Sequence, residues 1–532
     1  MNVYRDFERP GRSTAVAANG MVATSHPQAT LAALLVLKDG GNAVDAAVCA
    51  AAVQAVVEPT QTGIGGDCFA LVMRDGDRAP TALNGSGWAP LAADREWYLR
   101  KGVTEIASES PHSVTVPGAI AAWERLIKDY GKLPFERVLA PAIEAAEQGS
   151  CVTERLARDW EKQCSKLNRD PSSARLYLID GKTPRCGQIF LQPALANTLR
   201  QIATKGARAF YTGSIAESLV ETLSARGGLH KKEDFAEFAP EYVDPISVGY
   251  RGYRLWECPP NGQGIVPLVM AKVMEGYEVS SWKATSVERL HMMAETARQA
   301  YAIRDMFVGD PRTGEVPVDW LLSDQHAQYL RRNVSMNSRN LDVETVIQRP
   351  HRDTVFISVV DNSRMTVSLI NSVFDDFGSG IVCEKTGVLF HNRASSFVLE
   401  SGHPNCIAGR KRPMHTIIPA LLTDGGSAVM SFGVTGAHFQ PLGQLQILTN
   451  VVDYGMDVQA AIDHPRMFAR GDSFEVEGGV PDQVVAGLEQ LGHRVTRSQN
   501  PLGTAQAIWI DRKLGVLRGG ADGRRDGIAL GY

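Results

Sequence analysis

Apolar and polar positions follow one rhythm through most of this chain and a different one after residue 354. AIAAWERLIKDYG (119–131) and RVLAPAIEAAEQG (137–149) place apolar residues at i, i+3 and i+4 and end in glycine, which predicts two amphipathic helices. VERLHMMAETARQAYAIRDMF (287–307) predicts a longer one, with His291 and its methionines as ordinary helix residues. Near the N-terminus, GMVATS (20–25) reads as a short strand, followed by a helix from Gln28 to Lys38 that stops at Gly40-Gly41. Asn42 is placed to cap the next segment, Ala43 to Val57, which is apolar nearly all round and predicts a buried helix closed by Glu58-Pro59. A glycine turn, GIGGD (63–67), leads into the strand CFALVM, and residues 115–340 read as mainly helical. From Arg332 to Asp353 the chain is polar and reads as an exposed loop or linker. Beyond it, TVFISVVD, MTVSLIN, GVLF, AVMSFGV, SFEVEG and AQAIWID predict short strands rich in β-branched and aromatic residues, interrupted by one helix in LGQLQILTNVVDYG. The pattern predicts an α+β fold with helices covering sheets, the second part supplying sheet and the first mostly helices with some strands. There is no internal repeat and no low-complexity segment.

Composition narrows the function classes. The 532 residues are 44% hydrophobic and 21% charged, with formal net charge -4, ordinary for a globular protein with a large core. No basic run points to nucleic acid. The most apolar stretch, Ala43 to Val57, falls short of the ~20 residues that span a bilayer, so no membrane segment is expected. The first residues carry both charge signs and no apolar core, unlike a secretory signal, so a cytoplasmic location is expected. The cysteines (49, 68, 151, 164, 186, 258, 383 and 406) are scattered with no C-x-x-C pair, which predicts free thiols and no zinc site. GIGGD lacks the G-K-[ST] of a phosphate loop, so its glycines are assigned to close backbone packing. No metal or cofactor is expected.

On pattern alone Thr354 is simply a threonine opening a strand. A resemblance gives it a role. GMVATSHPQATLAALLVLKDGGNAVDAAV, GIGGD, VPGAIAAWERLIKDYGKLPFERVLAPAIEAA, Asp353-Thr354 with ISVVD after it, FGSGI, GRKRP, FGVTGAHFQPLGQLQ and GGADGRRDGIALGY occur in the order in which similar segments occur in gamma-glutamyltranspeptidases. The resemblance runs from about Gly20 to Tyr532. It implies a four-layer αββα sandwich of the N-terminal nucleophile type and self-cleavage between Asp353 and Thr354. The large segment (1–353) and the small one (354–532) would stay together as one catalytic unit.

The implied chemistry explains the cleavage. A threonine hydroxyl is a weak nucleophile until a base takes its proton. Cleavage gives Thr354 its own α-amino group, with an unperturbed pKa of about 7.7–8.0, which can take that proton directly or through a water. Before cleavage the same nitrogen is an amide and cannot act as a base. The oxyanion of the tetrahedral intermediate needs donors, and the resemblance assigns the backbone N–H groups of Gly436 and Ala437, where the family usually has two glycines. Asn371 matches a family asparagine near the substrate. The hydroxyl residue usual two positions before it is Leu369 here, leaving Ser368, Thr366 or a water to substitute.

The acyl pocket departs further from the family. The usual arginine for the substrate α-carboxylate is replaced by Ser86 in GSGWAP, and the usual carboxylate for the α-ammonium by Ser396 in HNRASSF. Arg393 replaces an uncharged residue, and a pair of serines appears as His415 and Thr416. Hydroxyls do not replace a buried charge pair to a zwitterion. Arg393, with His415, instead favours an acid acyl group without an α-amino group. The expected enzyme is therefore an amide hydrolase or acyltransferase acting on a small-molecule amide. Ordinary γ-glutamyl transfer, a glutaryl-type acylase, an oxamate-type amidohydrolase and a non-catalytic scaffold of the same fold are the alternatives.

Overall fold

The computed structural model describes residues 11–340 and 354–532. The predicted N-terminal helices form where their caps predict. Pro27–Lys38 opens with proline in its first turn and with the His26 ring accepting the Gln28 N–H. Ala43–Val57 opens with a capping box between Asn42 and Asp45, and each of its residues is buried. Asp45 also accepts the N–H groups of Lys132 and Leu133, tying this helix to the chain that leaves Ala119–Tyr130. Alanine makes the close burial feasible, because a small side chain lets a helix lie tightly between a sheet and other helices.

Two seven-stranded sheets dominate, and every pairing within them is antiparallel. In the first the order is Ile528–Gly531, Met21–Thr24, Val355–Val360, Thr366–Ser372, Asp67–Met73, Thr81–Gly85 and Glu241–Val243. In the second it is Ala15–Ala17, Val516–Ala521, Ala505–Asp511, Ser427–Val434, Ala420–Asp424, Tyr253–Glu257 and Ile246–Tyr250. Strand periodicity sorts the side chains. Phe69, Phe356 and Ile370 of the first sheet meet Leu421, Ile508 and Leu517 of the second in one apolar layer. Alternate residues, Ile357, Val359, Val367 and Leu369, face a different core built on Ala43–Val57 and its neighbours. On the second sheet Met430, Phe432 and Val434 face Ile265–Met274 and Gln440–Val452.

The part before residue 354 is mostly helical with some strands, as its pattern predicts, and those strands enter both large sheets. They make up half of the strands in the two sheets, interleaved with those of the second part. Glu241–Val243, Ile246–Tyr250 and Tyr253–Glu257 lie inside the region read as mainly helical. SFEVEG contributes Ser473–Val476, but to a separate three-stranded sheet with Met467–Arg470 and Arg494–Arg497. Short helices at Val458–Asp463 and Asp482–Gln490 were not predicted. The interleaving has a physical consequence: the two parts cannot separate without breaking backbone ladders in both sheets. Among the described residues no helix is long and apolar enough to cross a membrane, and all eight cysteines are free thiols.

Candidate active site

Thr354 sits at the start of Val355–Val360, 1% exposed. This strand forms a hairpin with Thr366–Ser372, in a register that pairs Val355 with Asn371. Thr354 therefore lies opposite Ser372, and their hydroxyl oxygens are 3.1 Å apart. Parity decides which neighbours Thr354 can have. Ser372 is two residues from Ile370 and points into the layer between the sheets, whereas Leu369 and Asn371 have the opposite parity. The amide of Asn371 donates to Thr62 Oγ1 at 2.8 Å and to the Gly63 carbonyl at 3.3 Å, and among the described residues its Oδ1 has no partner. Ser368 and Thr366 lie four and six residues back along the strand from Ser372, about 13 and 20 Å away at the usual strand rise. The hydroxyl beside Thr354 is thus Ser372, rather than the expected Ser368 or Thr366. The signal was available: counting outward from the turn between Asp361 and Met365 pairs residue 354 with 372. Ser372→Ala is expected to lower kcat by roughly ten- to a hundredfold with KM little changed, the loss of one hydrogen bond to the nucleophile. Steady-state kinetics checks this.

Ser372 is itself positioned. Its Oγ accepts the Phe374 N–H at 2.9 Å. Its carbonyl packs against Gly66, where a Cβ would stand 2.2 Å from that oxygen, and a Cβ on Gly65 would stand 2.0 Å from the Leu389 carbonyl. The GIGGD glycines thus serve close backbone approach. Gln440, on the first turn of Gln440–Val452, directs Nε2 toward Thr354 Oγ1 at 3.5 Å while its Oε1 accepts the Ile418 N–H.

The turn preceding this helix carries Gly436 and Ala437. Gly436 has φ +111° and Ala437 φ +46°. The left-handed region costs an alanine roughly 1–2 kcal/mol, so the surroundings must impose it. Gln263 does so from below: its Nε2 donates to the carbonyls of Ala437 and Thr416, and its Oε1 accepts from Arg304. Tyr301 donates to the His438 carbonyl. Among the described residues no acceptor takes the N–H of Gly436 or of Ala437.

A buried polar cluster lies on the other side of Ser372. Asp67, which begins Asp67–Met73, accepts the N–H groups of Gly87 and Gly118 at 3.1 Å each and faces His415 Nε2 at 3.0 Å and His391 Nδ1 at 3.4 Å. Burial alone would raise its pKa, but His391 and His415 hold the carboxyl well below the usual range. Burial first, then the neighbouring Arg393, pushes His415 down to about 3. His415 is therefore neutral, with one ring nitrogen on Asp67 and the other, Nδ1, accepting the Ile417 N–H.

Arg393 is fully buried. Its Nη1 donates to Thr416 Oγ1 at 2.8 Å, and its guanidinium carbon lies 3.9 Å from the centre of the Phe374 ring. Phe374 reaches that place through a left-handed φ of +81°. Among the described residues Arg393 Nε and Nη2 have no hydrogen-bond partner. Burial lowers its pKa to about 9, against the opposing pull of Asp67 and Asp375, so it remains a cation at neutral pH.

The two serines have structural partners. Ser86 Oγ accepts from Asn261 Nδ2 at 3.1 Å and its carbonyl accepts from Arg412. Ser396 donates to the carbonyls of Arg393 and Met414 at 2.9 Å each. Arg393, Thr416 and His415 are thus brought together, with Ser396 behind Arg393, while Ser86 is held by Asn261, whose carbonyl accepts the His415 N–H at 2.9 Å. Asp353 lies outside the described residues.

The gamma-glutamyltranspeptidase family profile matches residues 29–532. The chain belongs to this family. It is 35% identical to the glutathione hydrolase-like YwrD proenzyme of Bacillus subtilis over 520 residues, covering 96% of this chain and 98% of that one. It is 33% identical to the oxamate amidohydrolase proenzyme of Klebsiella pneumoniae, covering 98% and 100%. The crystal structure of a cephalosporin acylase from Bacillus halodurans superposes with a TM-score of 0.93 at 37% identity, covering 100% of this chain and 99% of that one. The family member described here is an enzyme, a self-processing gamma-glutamyltransferase-like hydrolase or acyltransferase with the mixed helix-and-sheet architecture of N-terminal nucleophile acylases.

Proposed function

We propose that the chain is cut between Asp353 and Thr354, and that the freed Thr354 hydrolyses or transfers amides of an acid that carries no α-ammonium group. The observation that carries the acyl preference is Arg393, a buried cation with two donors that no group among the described residues accepts from. Leaving such donors empty in a protein interior is costly, and an anionic acyl group would take both. Among the described residues an α-ammonium finds no comparable host. Asp67 is already engaged by two histidines and two backbone N–H groups, Asp375 is bonded to Asn392, and Ser396 donates to backbone. The Klebsiella relative is named for oxamate, an acid amide without an ammonium group.

In this reading the two facing sheets with helices outside them form an αββα sandwich. The segments 1–353 and 354–532 remain one unit through their interleaved strands. The α-amino group of Thr354 takes the proton of Oγ1, with Ser372 and Gln440 holding that oxygen. Oγ1 bonds to the substrate carbonyl carbon, and the N–H groups of Gly436 and Ala437 receive the oxyanion. The C–N bond then breaks, the proton passes to the leaving amine, and an ester on Thr354 remains for water or an acceptor amine. Asn371, placed against Thr62, supports the nearby glycine turn. Unpaired thiols fit a reducing, cytoplasmic setting.

The test is a hydrolysis panel of glutaryl, succinyl, oxamate-type and γ-glutamyl amides with one common leaving group. An acid amide lacking the ammonium is expected to have the highest kcat/KM. A clear γ-glutamyl preference would replace this reading with ordinary γ-glutamyl transfer. On the preferred substrate, kcat/KM is expected to rise with pH through an apparent pKa of about 7–8, as the Thr354 ammonium gives up its proton. Acetylating that amine should abolish the activity, and activity that persists rules this base out.

A further inference from the structure

Phe374 stands at the join between the nucleophile and the acyl anchor. Its backbone N–H donates to Ser372 Oγ at 2.9 Å, and that oxygen lies 3.1 Å from Thr354 Oγ1. Its buried ring lies against the Arg393 guanidinium, whose carbon is 3.9 Å from the ring centre. One residue therefore touches both halves of the site, with its main chain on one and its side chain on the other.

The backbone conformation that permits this is unfavourable. Phe374 has φ +81°, a left-handed value that a bulky side chain rarely adopts. Residues persist there only where their surroundings impose it, and they cluster at binding and catalytic sites. The imposing group here is Asn392, the chain neighbour of Arg393. Its N–H donates to the Val373 carbonyl at 3.3 Å, its Oδ1 accepts the Asp375 N–H at 3.1 Å, and its Nδ2 donates to Asp375 Oδ2 at 2.6 Å. Asn392 thus grips the chain on both sides of Phe374, and the segment bearing the ring is locked to the segment bearing Arg393.

This lock leaves Arg393 one way to act. A guanidinium is flat and has donors only around its rim. One face is covered by the Phe374 ring, and Nη1 is on Thr416 Oγ1. The rest of the rim is the edge formed by Nε and Nη2, for which no acceptor is present among the described residues. The two N–H groups of that edge run parallel and match the two oxygens of one carboxylate.

We propose that Phe374 is the positioning residue of the acyl pocket. Its ring sets the plane of Arg393 so that the Nε–Nη2 edge meets the acyl carboxylate, and its N–H keeps that plane in register with Ser372 and Thr354. The inference rests on the function proposed above. Without the ring, the substrate would have to order the guanidinium itself, at a cost in affinity.

The test uses two amides with one leaving amine: the acid amide that the panel finds fastest, and the same compound with its free carboxylate replaced by a primary carboxamide. Wild-type enzyme is expected to favour the acid in kcat/KM. Phe374→Gly removes the ring but keeps the N–H on Ser372, and glycine adopts the left-handed backbone without strain. In this variant the preference should fall by roughly tenfold, the range for a desolvated cation–π contact, through a higher KM for the acid rather than a lower kcat. Phe374→Leu fills the space without a π face and should lose part of the same preference, so it carries the test if the glycine variant is not cut into two fragments. A preference unchanged in these variants would overturn the inference and leave the acid-acyl reading intact. A fall in kcat alone, equal for both amides, would make Phe374 a support for the loop and overturn it as well, as would failure of both variants to mature. A wild-type enzyme with no preference for the acid would sink the acid-acyl reading and this inference with it.

Discussion

Thr354→Ala is expected to leave the purified protein as one uncut chain of 57.7 kDa with amidase activity lowered by as much as a millionfold. Two losses coincide. The hydroxyl that opens the peptide bond before it is gone, so no α-amino group is released. The hydroxyl that would attack substrate is gone as well. What surrounds the missing oxygen, Ser372 at 3.1 Å and Gln440 at 3.5 Å, cannot replace it, because neither group is attached to a free amine. Thr354→Ser is the informative companion. It keeps oxygen and nitrogen in the same relation and should still be cut, with activity reduced but measurable. A denaturing gel and a rate assay on the two variants check both statements. An active Thr354→Ala protein would move the nucleophile elsewhere.

Arg393 gives the second large effect. Arg393→Met should lower kcat/KM for the preferred acid amide by roughly a hundredfold or more, because both donors aimed at the acyl carboxylate disappear. Arg393→Lys should lose about 1–3 kcal/mol of transition-state stabilisation, since one ammonium cannot reproduce the two-pronged contact. Stability separates this role from a structural one. Among the described residues Nε and Nη2 have no partner and the side chain is fully buried, so replacing it with an apolar residue of similar size is expected to keep or raise the melting temperature of the unliganded enzyme. A marked drop in melting temperature with unchanged activity would make Arg393 a core-bridging residue and return the acyl specificity to other groups.

The sequence made the helical layers visible because their signals are local. Asn42 with Asp45, the alanines between 43 and 57, and the glycines after 130 and 148 each act within a turn or two. The first part's share of the sheets was hidden for the opposite reason. Glu241–Val243 has three residues, all half-buried, and becomes a strand only because Thr81–Gly85 lies beside it. Site residues divide in the same way. Thr354 is an ordinary strand-opening threonine by pattern, and only the resemblance drew attention to it. Ser372 is readable from hairpin arithmetic, yet the family pattern points to position 369, a leucine whose parity turns it toward the helices, and the substitutes expected for it, Ser368 and Thr366, lie farther back along the strand. Arg393 stood out as a charge in an unusual place, but its complete burial follows from a 3-10 turn held between Asn392 and Phe397, which no periodicity announces. His415 looked like a second cation for the acid. The structure makes it a neutral partner of Asp67, and Asp67 itself, hidden at the end of a glycine turn, drew no notice.

The central claim is that Thr354 becomes the first residue of a new chain and carries the acyl group. Intact-mass analysis and N-terminal sequencing of the purified wild-type protein, before and after brief exposure to the preferred amide at low temperature, test it most directly. Two fragments are expected, the smaller beginning at Thr354, with a transient mass increase equal to the acyl group on that first residue. A single uncut chain, a fragment beginning at any other residue, or an acyl group mapped elsewhere would contradict it.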